Sequence, residues 1–341
     1  MATRDGLIRV AVDAMGGDHA PAEIVAGAVR AARQGDVQVL LVGDPEDVQV
    51  ELGKHDTKGL PIGAVSSEGV IAEGEHAALA LRQKPRASIL VATGLVKQGK
   101  VDACVTMGST GAAMAAAAVV LGVIEGIDRP ALGGPILGLA PNTVIIDVGT
   151  SVDCRPAQLL SFAVIGNVFA RQFWGVERPR IGILSVGAES GKGNRQVRET
   201  SELLAKSGLD FVGNVEANDL LRSVVDVVVC DGFAGNIVMK LTEGLGKALS
   251  DHLRTRLKGR LPDNEVDELA REVYELNNVV ETLGGGPMFG VNGVSVIGHG
   301  RAMADAVQRA IDTARMTVAS GFVEKLNQEL TTVRTRVGDG A

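Results

Sequence analysis

The chain has 341 residues, of which 45% are hydrophobic and 22% charged, and these proportions exclude wholesale disorder and a small disulfide-stapled module. Lys and Arg number 34 against 41 Asp and Glu, and aromatic residues make up only 3%, so neither a global positive field nor stacking surfaces favour nucleic-acid binding. The three cysteines are far apart and follow no CxxC spacing, which predicts neither a disulfide framework nor a metal site. Charged residues near the start of the sequence give no export signal, and we expect a cytoplasmic protein.

Short β-branched runs, Gly or Asp turns and helical stretches alternate along the sequence, and this alternation predicts an α/β protein with a mostly parallel sheet. Several of the strands are apolar throughout, as expected when helices cover both faces of a sheet. We therefore predict a three-layer α/β/α sandwich. The predicted elements are, in chain order, strand Ile8–Asp13, helix Pro21–Arg33, strand Val37–Val42, helix Ser88–Lys97, strand Ala103–Thr106, helix Gly111–Gly122, strand Thr143–Asp147, helix Pro156–Trp174, strand Arg180–Val186, helix Gln196–Ser207, strands Phe211–Val215 and Val224–Cys230, and helices Gly235–Arg256, Val266–Asn277 and Ala302–Gln328.

No Pro- or Ser-rich linker divides the chain, so residues 1–341 are predicted to form one α/β catalytic unit, in which any subdivision would be two lobes with a seam at Ala131–Pro141. Residues 235–278 differ from the rest, because a long helix breaks near Leu261–Asp263 and a second helix follows. This pattern predicts a protruding helical hairpin with an acidic second arm. The first arm ends in a basic cluster, either a solvated helix face or a docking surface for an acidic partner, formed by Arg254, Arg256, Lys258 and Arg260.

Three predicted strands end in an aspartate that is followed by glycine: VAVDAMGGD at Asp13, VIIDVG at Asp147 and VVVCDGFAGN at Asp231. In open parallel sheets, ligands bind at the carboxyl ends of the strands, because turns and helix N-termini present backbone N–H groups there. For each motif alone, an aspartate that caps the next helix is at least as good an interpretation. The repetition of the motif favours a composite anion site.

The segment SVGAESGKGN, residues 185–194, resembles a phosphate-binding P-loop but does not have its spacing, since the first glycine is one residue too close to the GK pair and glycine follows the lysine. A nucleoside triphosphatase is therefore disfavoured. The first strand is likewise not followed by GxGxxG, so a dinucleotide site is not supported. Lys192, between Gly191 and Gly193, is still suited to a single phosphate.

Two histidines lie among glycines, His19 in MGGDHAP and His299 in VIGHG, and neither has metal-ligand spacing. We predict an acid–base or anion-binding role for His19 at the start of a helix, with a structural role as the alternative, and favour a structural role for His299. Ser109 and Thr110 follow another glycine turn, where they can cap a helix or bind a ligand oxygen. The sequence contains no GxSxG elbow, so an acyl-enzyme intermediate is not indicated. Glycine turns, backbone amides, Lys, Arg and one His favour binding of phosphate together with an acyl group.

Several longer motifs resemble the bacterial phosphate acyltransferases of phospholipid synthesis: VAVDAMGGDHAP, GIDRPAL, DVGTSVDCRPAQL, GNVEANDLL, VVVCDGFAGN and GGGPMFGVNGVSVIGHG. The resemblance implies an α/β/α fold related to the phosphotransacetylases and the isocitrate dehydrogenase-like group, a homodimer, and transfer of a fatty acyl chain from acyl carrier protein to inorganic phosphate. The acyl phosphate product would supply a membrane glycerol-3-phosphate acyltransferase. The sequence departs from the family pattern at Met107–Ala112, where AGNTGA is usual, at Asn218, where Arg is usual, and at residues 82–88.

The implied reaction is attack of a phosphate oxygen on a thioester carbonyl, which requires positioning and oxyanion stabilisation rather than a strong base. Through the resemblance we predict that His19, Lys192 and Ser109 are catalytic, that no cofactor is needed, and that the basic cluster of the hairpin binds the carrier protein or, transiently, a membrane surface. The predicted substrate-binding residues are Asp13, Gly16, Gly17, Asp18, Thr110, Gly111, Gly191, Gly193, Asn194, Asp231 and Asn236.

Two alternative functions stay open from the residues alone. A short-chain phosphotransacetylase that uses coenzyme A shares the phosphate and thioester chemistry, and a non-catalytic fatty-acyl or acyl-phosphate binding protein is compatible with the departures at Ser109 and Asn218. The alanine-rich segment 112–124 permits close helix packing and adds to the prediction of a homodimer. The hairpin tip has only two leucines to insert, so weak and salt-sensitive membrane attachment is expected.

Overall fold

The strands are divided between two sheets, where the sequence indicated one. The structure is a computed structural model that describes residues 6–338. Residues 6–125 and Leu283–Glu324 form the first compact unit, and Gly126–Thr282 with residues 325–338 form the second. The predicted α/β class with mostly parallel strands is confirmed in both units.

The first unit has a six-stranded sheet, with the strands in the spatial order β10 (Gly286–Pro287), β11 (Val294–Ile297), β4 (Ala103–Thr106), β1 (Ile8–Asp13), β2 (Val37–Gly43) and β3 (Ile62–Ser66). All neighbours are parallel except β10, which is antiparallel to β11. The chain passes from β1 outward to β2 and β3, and then continues on the other side of β1 with β4. The strand order therefore reverses between β1 and β4, and a crevice forms at such a point, outside the carboxyl ends of the strands.

The helices of the first unit are α1 (Ala22–Gln34), α2 (Pro45–Leu52), α3 (Ala77–Gln83), α4 (Ser88–Lys97), α5 (Thr110–Ala116) with a π-helical turn (Ala117–Leu121), and α11 (Ala304–Ala319). α1 and α11 pack together on one face of the sheet, where Ala28 and Val307 are fully buried. α4 covers the other face, against Ala11 and Cys104. The sheet thus lies between two helical layers. α1 ends at Gly35, whose φ of 82° suits glycine.

The second unit has a five-stranded sheet in the spatial order β5 (Gly133–Gly134), β6 (Val144–Ile146), β9 (Val227–Val229), β7 (Arg180–Leu184) and β8 (Asp210–Val215). Its helices are α6 (Pro156–Trp174), α7 (Arg195–Ser207), a 3₁₀ turn (Ala217–Arg222), α8 (Gly232–Leu257) and α9 (Asp263–Asn277). Thirteen consecutive residues of α6 are buried, so this helix is surrounded by packing. Gly166 allows that approach, because a Cβ at this position would collide with the side chain of Val227.

Most predicted elements are present, and the differences have local causes. The predicted helix Ala302–Gln328 is wrong as a single helix, because the chain turns at Gly321, where φ is 64°, and α12 (Phe322–Val337) begins after it. The predicted elements also lack the strands β3 and β11 and the two short edge strands, β5 and β10. The short helices α2, α3 and α10 (Val279–Leu283) are likewise absent from the predicted elements.

Residues 235–278 contain the two arms expected of a hairpin. α8 and α9 contact each other extensively, and the Arg254 guanidinium binds Asp267 across the pair at 3.2 Å. The chain reverses in residues 258–262, with Gly259 at a φ of 72°. Among residues 6–338, no helix combines the length and apolar character that crossing a membrane requires.

Candidate functional site

A cleft of about 570 Å³ opens in the first unit where the strand order reverses between β1 and β4. Turns that follow three neighbouring strands form its walls, so backbone amides and short polar side chains converge there. The lining segments are Met15–Asp18 after β1, Met107–Thr110 after β4, Gly298–Arg301 after β11, and Val70–Glu73 beyond β3.

The buried carboxylate of Asp13 connects two of these turns, the one after β1 and the one after β4. Its oxygens accept hydrogen bonds from the Thr106 hydroxyl at 2.7 Å and the Met15 amide at 3.2 Å, and the Thr106 oxygen in turn accepts from the Gly108 amide at 3.0 Å. Burial raises the pKa of Asp13 above its usual value, and hydrogen bonds from neighbouring hydroxyls and amides offset part of that rise. Asp13 therefore orients the turns and does not line the cleft.

Glycine is required at position 16 because two turns meet there. A Cβ on Gly16 would lie 2.6 Å from the Asp13 carboxylate and 2.9 Å from the Gly108 nitrogen. The neighbouring Gly17 has a φ of 112°, which strains any other residue. The Asp18 amide donates to the Gly300 carbonyl at 2.7 Å and so joins this turn to the one after β11.

The remaining predicted residues of the first unit have different surroundings. Ser109 caps α5 by accepting from the Ala112 amide at 3.4 Å, and Ser109 and Thr110 are both lining residues of the cleft. Gly111 is exposed within α5. The His19 side chain is exposed and is not among the cleft-lining residues.

An ion pair secures the segment that borders the cleft beyond β3. The Lys84 ammonium donates to both carboxylate oxygens of Glu75, at 2.7 and 2.8 Å, and to the Val70 carbonyl at 2.9 Å. Glu75 also accepts from the Ala72 amide at 2.7 Å. The hydrogen bond from Lys84 lowers the pKa of Glu75, so this carboxylate stays ionised at neutral pH.

A second polar site surrounds Asp147, at the end of β6 in the second unit. Its fully buried carboxylate accepts from the Thr150 hydroxyl at 2.5 Å and from the amides of Thr150 at 3.0 Å and Ser151 at 2.9 Å. The amides of Gly149 and Leu132 also donate to it, at 3.3 and 3.2 Å. Burial raises the pKa of Asp147, and the hydrogen bonds oppose the rise. This carboxylate shapes the whole turn from residue 149 to residue 151.

The start of α8 packs directly on that turn. A Cβ on Gly235 would collide with the Asp147 carbonyl oxygen, and one on Gly232 would lie 2.7 Å from the Asp147 carboxylate and 2.9 Å from the Ser151 amide. Glycine at both positions therefore lets the helix approach closely. A polar cleft of about 660 Å³ borders the turn, with Thr150, Ser151, Gln158 and Arg129 in its lining.

The third aspartate motif has the capping role that was its alternative interpretation. Asp231 accepts from the Ala234 amide at 2.8 Å and is the N-cap of α8. Asn236 is exposed one turn further on, next to Gly149. Thus the three motifs, alike in sequence, are two buried turn-organising carboxylates and one helix cap.

The amide side chain of Asn214 binds three carbonyls of the loop that carries Lys192. The Asn214 nitrogen donates to the carbonyls of Gly187 at 3.1 Å, Glu189 at 2.8 Å and Lys192 at 3.3 Å. The Lys192 side chain is exposed, and its ammonium has no ion-pair partner among residues 6–338. Asn194 caps α7 by accepting from the Val197 amide at 2.9 Å. A fixed loop with an unpaired lysine is suited to an anion.

The basic cluster of the hairpin is partly neutralised. Arg254 donates to Asp267 and to the Ser250 hydroxyl, the latter at 2.7 Å. Arg256, Lys258 and Arg260 are exposed, and in the described part of the chain none has an ion-pair partner.

Thiol and metal chemistry find little support in the described residues. Burial raises the pKa of Cys154 to about 12 and raises those of Cys104 and Cys230 as well, so the thiols are not poised as thiolates. In residues 6–338, no three His, Cys, Asp or Glu side chains are grouped so that they could hold a metal ion.

Sequence reasoning missed the turn after β11, which brings His299 and Arg301 to the cleft of the first unit. The sequence favours a structural role for His299 and does not single out Arg301. The signal was available: an apolar run, VSVI, ends in the glycine-rich GHGR, the same pattern as the other strand ends. The run was not recognised as a strand because it is short and lies among glycines.

The fold is that of the phosphotransacetylases. The chain is similar to a phosphotransacetylase from Streptococcus pyogenes with a TM-score of 0.61 at 16% identity, covering 92% of this chain and 94% of that one. A 4-hydroxythreonine-4-phosphate dehydrogenase from Klebsiella pneumoniae gives a TM-score of 0.54 at 16% identity, over 92% and 99% of the two chains.

Sequence comparison gives the family. The chain belongs to the fatty acid synthesis protein family, whose model matches residues 8–325. It is 43% identical to the phosphate acyltransferase of Pelotomaculum thermopropionicum over 98% of both chains, and 43% identical to that of Geobacter sulfurreducens over 95% of both. The resemblance predicted from the motifs is confirmed.

Proposed function

We propose that this protein is a phosphate acyltransferase, which transfers a fatty acyl chain from acyl carrier protein to inorganic phosphate and supplies acyl phosphate for phospholipid synthesis. The observation that carries the proposal is the similarity to phosphate acyltransferases over nearly the full chain. The glycine turns at the strand ends agree with it, because they offer amides to phosphate and to a carbonyl oxygen.

The reaction joins a phosphate oxygen to the thioester carbonyl carbon and breaks the carbon–sulfur bond. The tetrahedral intermediate carries its negative charge on the former carbonyl oxygen, and the sulfur leaves with the pair of electrons and takes a proton to become the carrier thiol. Phosphate is already a nucleophilic anion, so the enzyme mainly holds both groups in place and stabilises the oxyanion.

We assign catalytic roles to His19, Lys192 and Ser109. Lys192 supplies an unpaired positive charge for phosphate. Ser109 accepts the capping bond through its oxygen, which leaves its hydroxyl proton for a ligand oxygen. His19 is exposed next to the Gly16–Asp18 turn and can donate to an anion or protonate the leaving thiolate.

The substrate-binding assignments divide into two kinds. Gly17, Gly191 and Gly193 contribute backbone amides, and Asp18, Thr110, Gly111 and Asn236 contribute polar groups at the surface. Gly16 acts by letting the turns after β1 and β4 approach each other, since its own amide donates to Asp13. The others act through positioning, since Asp13 orients two turns, while Asn194 and Asp231 cap helices.

The function is tested by phosphate-dependent thiol release from a long-chain acyl carrier protein, with Lys192→Ala as the first variant. Losing a charged phosphate contact costs about 1.5–3 kcal/mol, so we expect the KM for phosphate to rise by roughly 10- to 150-fold. His19→Ala is expected to lower kcat as well. Lys206→Ala, an exposed lysine at the far end of α7, serves as the matched control and should leave both constants unchanged.

Donor comparison separates the alternatives. Faster release from acetyl coenzyme A than from the acyl carrier protein would favour a short-chain phosphotransacetylase. Acyl binding without any phosphate-dependent release would favour a binding protein. Wild-type kinetics in both folded variants would remove the assignment of Lys192 and His19.

We also propose a homodimer. The alanines of segment 112–124 are mostly buried within the subunit, so they are not the source of an interface. Instead α8 exposes an apolar stripe, a feature that marks protein contact surfaces. Its members are 43% to 68% exposed: Phe233, Ile237, Leu241, Leu245 and Leu249.

The basic cluster of the hairpin is proposed to bind the acidic carrier protein or, transiently, the inner membrane surface near the glycerol-3-phosphate acyltransferase. The protein would otherwise be cytoplasmic. Exposed cations at the tip attract either anionic surface, each worth about 1 kcal/mol near an anionic membrane.

Charge reversal tests the cluster. Arg254, Arg256 and Arg260 changed to Glu should raise the KM for acyl carrier protein at least tenfold or abolish liposome binding at low salt, while the KM for phosphate stays the same. Reversal of three exposed cations of the first unit, Arg33, Lys58 and Lys100, is the control. If carrier use and liposome binding both stay at the control level, the cluster is only a solvated helix face.

A further inference from the structure

The cleft of the first unit is lined by one arginine, Arg301, that has no role in the proposed function. Its charged lining residues are Asp18, Glu73 and Arg301, and His299 stands beside them. Among the described residues 6–338, Arg301 is the only Lys or Arg in the lining. Its guanidinium is exposed and, within residues 6–338, has no ion-pair partner.

The backbone that carries Arg301 is fixed from both sides. The Gly298 amide donates to the Thr106 carbonyl at 2.9 Å, and the Gly300 carbonyl accepts from the Asp18 amide at 2.7 Å. The Ala302 amide closes the turn on the His299 carbonyl at 2.9 Å. Arg301 therefore follows a turn that is held against the turns after β1 and β4, and its position at the cleft does not depend on a mobile loop.

We infer that Arg301 binds a phosphoryl group in this cleft. A guanidinium offers several N–H donors in a plane and pairs with two phosphate oxygens at once. The glycine-rich turns at residues 16–17 and 298–300 border the same space and bring backbone close to it. This inference rests on the proposed function for the identity of the ligand, but the chemistry of the site does not depend on it.

Two acidic residues, Asp18 and Glu73, line the same cleft as Arg301. Asp18 and Glu73 repel an anion in the same cleft, so without Arg301 the lining would carry only negative formal charge. Removal of Arg301 and removal of Glu73 should therefore change phosphate affinity in opposite directions. A purely structural Arg301 would not produce this pair of effects.

Two substrates of the proposed reaction carry phosphoryl groups: inorganic phosphate, which accepts the acyl chain, and the phosphodiester at the base of the carrier's thiol arm. Calorimetric titration distinguishes the two sources without reference to catalysis. The probes are inorganic phosphate and acyl carrier protein with its arm, each added to the full-length protein.

For Arg301→Gln we expect binding of one probe to weaken tenfold or more, and for Glu73→Gln we expect binding of that same probe to tighten about two- to fivefold. The probe that responds is the occupant. Arg309→Gln, an exposed arginine on α11 outside the cleft lining, is the control, and Arg301→Lys should restore part of the affinity. Circular dichroism and the melting temperature verify that each variant is folded.

The inference is overturned if both probes bind folded Arg301→Gln as tightly as they bind Arg309→Gln, or if Glu73→Gln weakens binding. Failure of the proposed function gives a different result: phosphate binding that depends on Arg301, with no acyl transfer from any donor. The two failures are therefore distinguishable.

Discussion

Asp147→Ala is expected to lower the free energy of unfolding by about 3 kcal/mol or more. The carboxylate accepts hydrogen bonds from four backbone amides and one hydroxyl, and it is fully buried. Alanine leaves these donors without an acceptor, and each unsatisfied buried donor is costly. Phosphate-dependent activity should fall with stability, because the turn at residues 149–151 and the start of α8 both rest on Asp147.

Chemical denaturation measures the free energy of unfolding, and two further variants serve for comparison. Asp147→Asn keeps the shape of the side chain but turns one acceptor into a donor that faces other N–H groups, so an intermediate loss is expected. Asp153→Ala removes an exposed carboxylate six residues away and should change the unfolding free energy by less than about 0.5 kcal/mol. Equal stability of Asp147→Ala and Asp153→Ala would show that the buried carboxylate does not organise the turn.

Leu241→Glu is expected to convert a dimer into monomers. The apolar stripe of α8 follows a spacing of four residues over sixteen positions, about 24 Å of helix at 1.5 Å per residue. A ridge with this spacing packs into the equivalent grooves of another helix, and in a two-fold dimer the same ridge meets its own copy. Leu241 is the middle residue and the most exposed of the stripe, at 68%, so a charge there would be buried twice at the interface.

The expected loss is several kcal/mol of association free energy, or more than about 100-fold in the dimer Kd. Light scattering at micromolar concentration should give twice 35.3 kDa for the wild type and 35.3 kDa for the variant. Val50→Glu is the control, because Val50 is a single apolar residue on α2 that is 63% exposed. A wild-type mass of 35.3 kDa would exclude the dimer, and the stripe would then need another occupant, such as an acyl chain.

The sequence by itself determined the elements whose signals are local. Strands Ile8–Asp13 and Ala103–Thr106 and helices Ser88–Lys97 and Pro156–Trp174 have the predicted bounds, because an apolar run with clear turn residues on both sides encodes each of them. The α/β class followed from their alternation, and the long motifs were specific enough to indicate the family. Each of these conclusions depends on residues that are close in the chain.

The tertiary structure alone decided which strands pair, and with that the content of each cleft. Hydrophobic patterns state that a strand is buried but not which neighbour it meets, so the division into two sheets was not visible in them. For the same reason, three similar aspartate motifs could not be told apart: Asp13 and Asp147 are buried beside turns that donate to them, whereas Asp231 lies at the start of a long helix. Arg301 joins the Gly16–Asp18 turn only because β11, from near the end of the chain, pairs with β4 next to β1. Such long-range pairing is set by packing across the whole sheet, and no local pattern records it.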